Sequence, residues 1–338
     1  MRTRRVKALS YLSTGIFVGA IITALAGFVA DAAGQTKITV GRTISAASFH
    51  LPSYIAHEKG LFKEQGLTAE FIAAQGSTLV RAGIAKEIDY VPIPGGGSTA
   101  MLKGASIILI AGQSLISQWT ITTIPDVKKV EDLKGKTIGL ERPGGAAYDE
   151  AVITLGQFFK MQPGKDYKIL SFTAESDRVA ALIAGSIQGA LLQFAHAAIA
   201  EQSGMKILVR IGDYIPRLGG TFWVHKDRIK ERRDEVKRFI KAIGRAADYI
   251  KTNKEGTVQV IQKYFEIKES KVAEGFYKQI QNAFGPEMPH DLLKVLFDSR
   301  LTPEAGWPAG KPAPDFEQFV ARDLLNEALK EIGRKPSK

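Results

Sequence analysis

The stretch covering residues 37–67, KITVGRTISAASFHLPSYIAHEKGLFKEQGL, constrains the fold more than any other part of the chain. It opens with a short strand-like run at residues 38–41 and continues into a loop of small and polar residues, 42–50, in which Phe49 is the one large apolar side chain. A helix is expected to begin near Pro52, whose fixed φ and missing N–H suit a first helical turn, and to end around Gly66, a natural C′ residue. Strand, polar loop and helix N-terminus in that order leave backbone N–H groups bare at the carboxyl edge of a sheet. An ordinary first βα unit that binds nothing has the same outline, so the remainder of the chain must decide between them.

Strand and helix signals then alternate as far as residue 112. Residues 70–73 read as a strand, Gly76-Ser77 as the turn into a helix carrying Leu79, Val80 and Ile84, and 89–93 as a further strand. That strand leads into Pro94-Gly95-Gly96-Gly97-Ser98-Thr99 and another helix, followed by an apolar strand at 106–111. Such spacing predicts a mostly parallel sheet with crossover helices. Residues 118–122 read as a strand leaving this first domain, and a second α/β unit opens at 133–140 and runs into Glu141-Arg142-Pro143-Gly144-Gly145-Ala146-Ala147. Strands at 168–172, 189–194 and 206–210 and a helix at 177–184 complete it, and 221–225 reads as a return strand. Beyond that the pattern is helical, with Val236, Phe239, Ile240, Ile243, Ala247 and Ile250 forming one apolar stripe. Residues 302–314 read as a loop and 333–338 as a disordered tail.

Residues 1–34 are read as a signal peptide. Arg2, Arg4, Arg5 and Lys7 form a basic region, 16–30 is an uncharged apolar run too short for a comfortable bilayer crossing, and Ala30-Asp31-Ala32 fits a cleavage site near Ala32/Ala33. A retained anchor is the alternative. The expected location is therefore periplasmic. The chain has no cysteine, which excludes disulfides, a thiolate nucleophile and a lipid-modified N-terminal cysteine. Its formal charge is +11; losing four positive charges and Asp31 with the N-terminal segment brings this to +8. The basic residues are scattered or, at 226–241, interleaved with acidic ones, so a solvated helix face is expected there rather than a nucleic-acid footprint. About 300 mature residues exceed what one core usually holds, so two domains are expected.

Four motifs carry a family resemblance. Residues 54–67, YIAHEKGLFKEQGL, are close to the "y-A-ekG-F-eeGL" signature of the nitrate/sulfonate/taurine-type solute-binding proteins of ABC importers. GIAKEIDY at 83–90, DLKGKTIG at 132–139 and GSIQGA at 185–190 resemble further steps of that family, with Gln188 where an Asp is common. The resemblance spans residues 37–332, and each motif is weak alone. It implies a type II periplasmic-binding-protein fold: two α/β domains joined by two crossover segments, with a ligand cleft between them. Domain I would comprise residues 35–123 and 219–338, domain II residues 124–218, and hinges would lie near 119–125 and 216–221. Hinge closure on a solute is the implied mechanism.

In that architecture ligand contacts come from loops at the carboxyl ends of strands. The candidates here are Ser45, Ser48, Phe49, Gly76, Ser77, Gly96, Gly97, Ser98, Trp119, Arg142, Gly145, Ala146, Gln193, Phe194 and Thr221. Glycine N–H groups and the Ser98 hydroxyl at a helix start suit an anion, although the segment is no nucleotide loop and also reads as a tight turn. Arg142 suits bidentate pairing with a carboxylate or sulfonate, and equally a plain surface position. Phe49, Trp119, Tyr148 and Phe194 suit an apolar wall, or core. His50, His57, His196 and His225 are too scattered for a metal site, so no metal and no cofactor is expected.

The function read from these features is a non-enzymatic, monomeric binding protein that delivers a small anionic organic solute to an ABC-importer permease. The competing reading is an enzyme on the same fold, because relatives of the family include a thiamine-pyrimidine synthase and a desulfinase; their chemistry depends on cysteines this chain lacks. A nucleic-acid-binding regulator would need a helix-turn-helix where the N-terminus holds an export signal. Nothing in the sequence selects the solute.

Overall fold

Strand β1 (Thr36–Thr43) enters the fold alternating buried and half-buried side chains, with Ile38 and Val40 inside. The computed structural model describes residues 35–44, 47–143, 146–302 and 307–337. The basic and apolar N-terminal stretch lies outside them, as do Ser45 and Gly145. Among the described residues no helix is long and apolar enough to cross a membrane. The single helix expected after Pro52 is two: α1 (Leu51–Glu58), with the proline in its first turn, and α2 (Leu61–Glu64). Gly60 between them has φ 72° and Gly66 after them φ 64°, left-handed values that cost a residue with a Cβ free energy and that glycine adopts freely.

Strand β2 (Leu67–Ala74) pairs with β1 to form one edge of a mixed layer. On the other side of β1 the chain at Tyr90–Val91 fills a gap without becoming a full strand. Tyr90 N–H donates to the Thr39 carbonyl at 3.0 Å, and Val91 exchanges two 3.1 Å bonds with Trp223 on β9 (Gly220–His225). β9 runs antiparallel to β3 (Ile107–Ser114), and Leu109 of β3 bridges to Val320. Helices α3 (Gly76–Ile84) and α4 (Pro94–Leu102) follow β2 and the 90–91 segment.

The second sheet has five strands in the order β6-β5-β7-β4-β8. β5 (Thr137–Leu140) is parallel to β6 (Lys168–Ser171) and to β7 (Gly189–Gln193). β4 (Trp119–Thr123) lies antiparallel between β7 and β8 (Lys206–Arg210). Residues 118–122, read as a strand leaving the first domain, fall almost wholly in β4, whose hydrogen-bond partners are β7 and β8, a pairing that an apolar run alone does not reveal. Helices α5 (Ala146–Ile153) and α6 (Glu175–Ile183) serve this sheet, and α5 continues into a π-helical turn at Thr154–Phe158.

Helix α7 (Phe194–Gln202) is shared by two cores. Its Ala197 and Ala200 pack with Val179, Leu182 and Ile187 beside the five-stranded sheet, while Phe194, Ala195 and Ala198 belong to the largest cluster of the molecule. That cluster also holds one face of α10 (Ser270–Ile280), through Ala273 and Phe276. Arg210 at the end of β8 donates to the Gln279 carbonyl on the same helix at 3.0 Å.

The rest of the large core is helical: α8 (Lys226–Thr252), α9 (Lys254–Tyr264), α11 (His290–Asp298) and α12 (Arg322–Glu331). Every member of the apolar stripe from Val236 to Ile250 is buried. Most basic residues of α8 are paired rather than merely solvated. Lys237 bridges Glu327 at 2.7 Å and Glu331 at 2.8 Å, and Lys241 reaches Glu331 at 2.8 Å, so α8 and α12 are laced together. Nearer the start of α8, Arg228 joins Asp89 and the buried Glu235, which also accepts the Tyr90 hydroxyl at 2.9 Å. The C-terminal tail, expected to be disordered, is tied down as far as Ser337. Its N–H donates to Asn326 Oδ1 and its Oγ accepts from Met288 N–H, both at 2.8 Å.

Between β1 and α1, His50 is buried, and its Nε2 accepts the Thr43 N–H at 3.0 Å, closing the loop from within. Burial, reinforced by the positive charge of Arg42, lowers its pKa from 6.5 to about 3, so the folded chain keeps the ring neutral. The unfolded chain binds a proton below pH 6.5 that the folded chain refuses until about pH 3. This contribution is therefore complete above pH 6.5 and is lost as pH falls, at a limiting slope of about 1.4 kcal/mol per pH unit. Urea midpoints measured from pH 7 down to pH 5 should fall in the parent chain and fall less steeply in His50→Gln, whose amide oxygen can still accept the Thr43 N–H. Parallel slopes would refute a buried neutral ring.

Candidate functional site

The loop that follows β1 and the two segments crossing between the sheets converge on one cavity of about 170 Å³. Phe49 comes from the first loop, and Pro94 and Gly95 from the start of α4. Ser117, Gln118 and Trp119 come from the outward crossing, and Arg217, Leu218 and Gly219 from the return. Glu150 on α5 and Gln193 at the end of β7 face them, and Arg300, just past α11, closes the wall.

Side-chain amides bind these segments to one another. Ser48, fully buried, donates its hydroxyl to Gln118 Oε1, and its N–H lies 3.4 Å from Gln193 Oε1. Gln118 Nε2 in turn donates to Ser114 Oγ at 2.8 Å. Gln193 is held by its own N–H, which donates to Glu175 Oε2 at 2.8 Å; the same oxygen lies 3.2 Å from His196 Nδ1.

Charge at the site is unbalanced. The Glu150 carboxylate is buried and takes the Ser117 hydroxyl on one oxygen and the Arg217 guanidinium on the other. Burial raises its pKa, while Arg217 and the Ser117 hydrogen bond pull the other way, which leaves the group raised on balance. Arg300 has no such arrangement. Its Nε is buried with no hydrogen-bond partner among the described residues. Burial lowers its pKa and the nearby positive charge of Arg217 lowers it further, against the opposing pull of the Asp149 and Glu150 carboxylates, which leaves it lowered on balance. A guanidinium cannot shed its proton near neutral pH, so this half-buried cation favours an anion that reaches it.

The fifteen positions suggested by the sequence are distributed unevenly around this cavity. Phe49, Trp119 and Gln193 line it, and Ser48 lies behind them in the amide chain. Ser45 and Gly145, and the side chain of Ala146, fall outside what is described. Arg142 is exposed and does not line the cavity, and Ser77 is exposed at the start of α3 beside Gly76. Phe194 is fully buried in the main core beneath the Arg210 guanidinium, which lies 5.3 Å from its ring centre. Thr221 is buried within β9, its hydroxyl without a hydrogen-bond partner among the described residues.

The glycine-rich segment is helix from Pro94 onward, and its glycines make room for other side chains. A Cβ on Gly97 would meet Trp223 Nε1 at 2.4 Å, one on Gly96 would meet Val80 at 2.7 Å, and one on Gly95 would meet the tip of Arg300 at 2.8 Å. Ser98 donates its hydroxyl to the Gly95 carbonyl at 3.0 Å. Glu150, Arg217 and Arg300 are the charged members that sequence reasoning misses. Each is a single charged residue in a helix or a crossing, and no local pattern marks it.

Among the described residues no group of three or more His, Cys, Asp or Glu side chains is placed to hold a metal ion. A family model described as NMT1/THI5 like matches residues 47–256. The "Putative binding protein YtlA" of Bacillus subtilis (strain 168) is 24% identical over 288 residues, which cover 78% of this chain and 83% of that protein. The structure of the periplasmic sulfonate-binding protein SsuA from Methylobacillus flagellatus KT superposes with a TM-score of 0.68 at 17% identity, covering 89% of this chain and 96% of that one. The desulfurization enzyme DSZB superposes with a TM-score of 0.62 at 14% identity, covering 88% and 99%. The fold is thus one on which both binding proteins and an enzyme are built.

The contact between Gly97 and Trp223 gives a local test. The indole is fully buried and donates Nε1–H to the Ile93 carbonyl at 3.0 Å. Gly97→Ala should force it aside and cost about 1–3 kcal/mol, as overpacking of a filled core does. Thermal unfolding followed by circular dichroism should show a midpoint lower by several degrees. An unchanged midpoint would mean that the contact is not tight.

Proposed function

The chain belongs to the NMT1/THI5-like family, and on that premise we propose that it is the solute-binding component of an ABC importer, with a small organic anion held in the cleft described above. In this reading the protein works in the periplasm as a monomer, without a cofactor or nucleic acid. Residues 35–118 with 219–338 form one domain and 119–218 the other, since β4 pairs within the second sheet. Closure about the two crossings presents the loaded form to the permease. The sulfonate-binding relative of the same fold supports the solute class, as does the positive charge of the cavity.

The observation that carries the reading is the Arg300 guanidinium, buried at Nε without a partner beside an Arg217 already occupied by Glu150. An anionic head group there would satisfy a donor that nothing else described satisfies. The enzymatic reading draws on the likeness to DSZB, but the chain has no cysteine to serve as nucleophile. Of the two arginines named, Arg300 is the anchor proposed here, and Arg142, exposed on its loop, serves as the comparison.

A thermal-shift screen of the chain, unfolded and refolded to strip bound solute, tests this directly. The panel holds sulfonates, carboxylates, nitrate, amino acids and pyrimidines. A true ligand at about 100 times its Kd adds roughly 2.7 kcal/mol of stability, a shift of several degrees. Arg300→Gln should abolish that shift and leave the empty protein folded; Arg142→Ala should keep it. No response to any anion from folded protein, or a response that survives in Arg300→Gln, would sink the proposal.

A further inference from the structure

We infer that the contact between α7 and α10 is a third hinge, which stays shut when the two lobes part and sets the axis about which they turn. This rests on the two-lobe closure proposed above. The two helices belong to different lobes, α7 to that of the five-stranded sheet and α10 to that of the large core, yet they pack together in one apolar seam. Phe194, Ala195 and Ala198 of α7 and Val272, Ala273 and Phe276 of α10 are all buried. Separating the helices would return these six side chains to water, which opposes any opening along this line.

The seam is also pinned to the outward crossing from both sides. At the start of α7, Phe194 N–H donates to the Gln118 carbonyl at 3.2 Å. The chain leaving α10 reaches the same stretch, where Leu115 N–H donates to the Ala283 carbonyl at 2.8 Å and Ser114 bridges to Phe284. Both helices are thus anchored between Ser114 and Gln118, and a rotation about that stretch displaces their anchored ends least. Arg210 of β8 clasps the same end, lying over the Phe194 ring while it donates to the Gln279 carbonyl. Further along the seam Ala198 faces Gly275, small against small, so the helices can turn on one another there without a large side chain having to climb over its neighbour. The cavity wall made by Gln118 and Gln193, which adjoins the seam, therefore stays closed, and solute enters elsewhere along the rim.

Because the chain has no cysteine, an introduced thiol is the only one present. Ala198→Cys places it in the seam, and Ser77→Cys at an exposed position serves as the reference. In the refolded chain, stripped of solute, iodoacetamide should label the seam thiol at least about a hundredfold more slowly than the reference, because a buried thiol reacts only when the structure around it opens. Ala198→Cys combined with Gly275→Cys sets two Cβ atoms 3.9 Å apart, inside the span of about 3.5–4.5 Å that a disulfide bridges. After oxidation this chain should keep the radius of gyration of its reduced form in small-angle scattering. It should also respond to the sulfonates, carboxylates and nitrate of the panel above as the reduced form does. Fast labelling of the seam thiol, contraction on oxidation, or a thermal shift present in the reduced form and lost in the oxidised one would each overturn the third hinge. Should the double variant fail to fold, the labelling of Ala198→Cys decides alone. A missing thermal shift in both forms would count against the solute reading, while labelling and scattering still decide on the seam.

Discussion

One buried carboxylate holds the two crossings together. Glu150 reaches Ser117 on the outward crossing and Arg217 on the return, so each connection between the sheets is fastened to the same point on α5. A buried carboxylate is stable only when its lone pairs are satisfied, and here each partner comes from a different crossing. Loss of either would leave the other to compensate for a desolvated charge. The position of Arg217 follows from this pairing, and with it the surplus of positive charge that falls to Arg300. The arrangement of charge across the cavity is thus set by a pair that itself has no need of a ligand.

The large core works at a different scale. Trp223 occupies the junction between β9, α3 and α4, and it fits because two helices present glycine to it: Gly83 from α3, where a Cβ would meet the indole at 2.7 Å, and Gly97 from α4. The Pro94–Leu102 helix that results starts at the cavity wall, so the packing of a tryptophan in the core fixes where Pro94 and Gly95 stand in the site. Core and cavity are one construction here.

Much of this was legible in the chain and some was not, for physical reasons. Periodicity exposed the α8 stripe and the alternation of strands and helices, because burial on one face leaves a repeating mark in sequence. The motif at 54–67 pointed to the family, and the polar loop ahead of it did supply Ser48 and Phe49 to the cavity region. Strand pairing was harder. β4 reads the same whether it closes one sheet or sits within another, since pairing is decided by partners far along the chain. The glycines at 95–97 were visible as glycines, yet their use depends on Val80, Trp223 and Arg300 standing opposite. The three charged residues at the cavity are set by tertiary placement alone. Ser337, directly after a proline in a polar tail, gave no sign that its hydroxyl would complete a network with Met288 and Arg322.

The double allegiance of α7 has a consequence for how the molecule comes together. One face of that helix completes the core beside the five-stranded sheet, and the other is buried only when α10 arrives from far along the chain. A chain emerging from its N-terminus can pair β4 through β8 early, but Phe194, Ala195 and Ala198 stay uncovered until residues near 280 are available. Apolar surface left open over so long an interval is the usual origin of misassembly in chains of this size. Order of synthesis and order of burial therefore run apart, and the last third of the chain acts as the lid on a core begun in its middle.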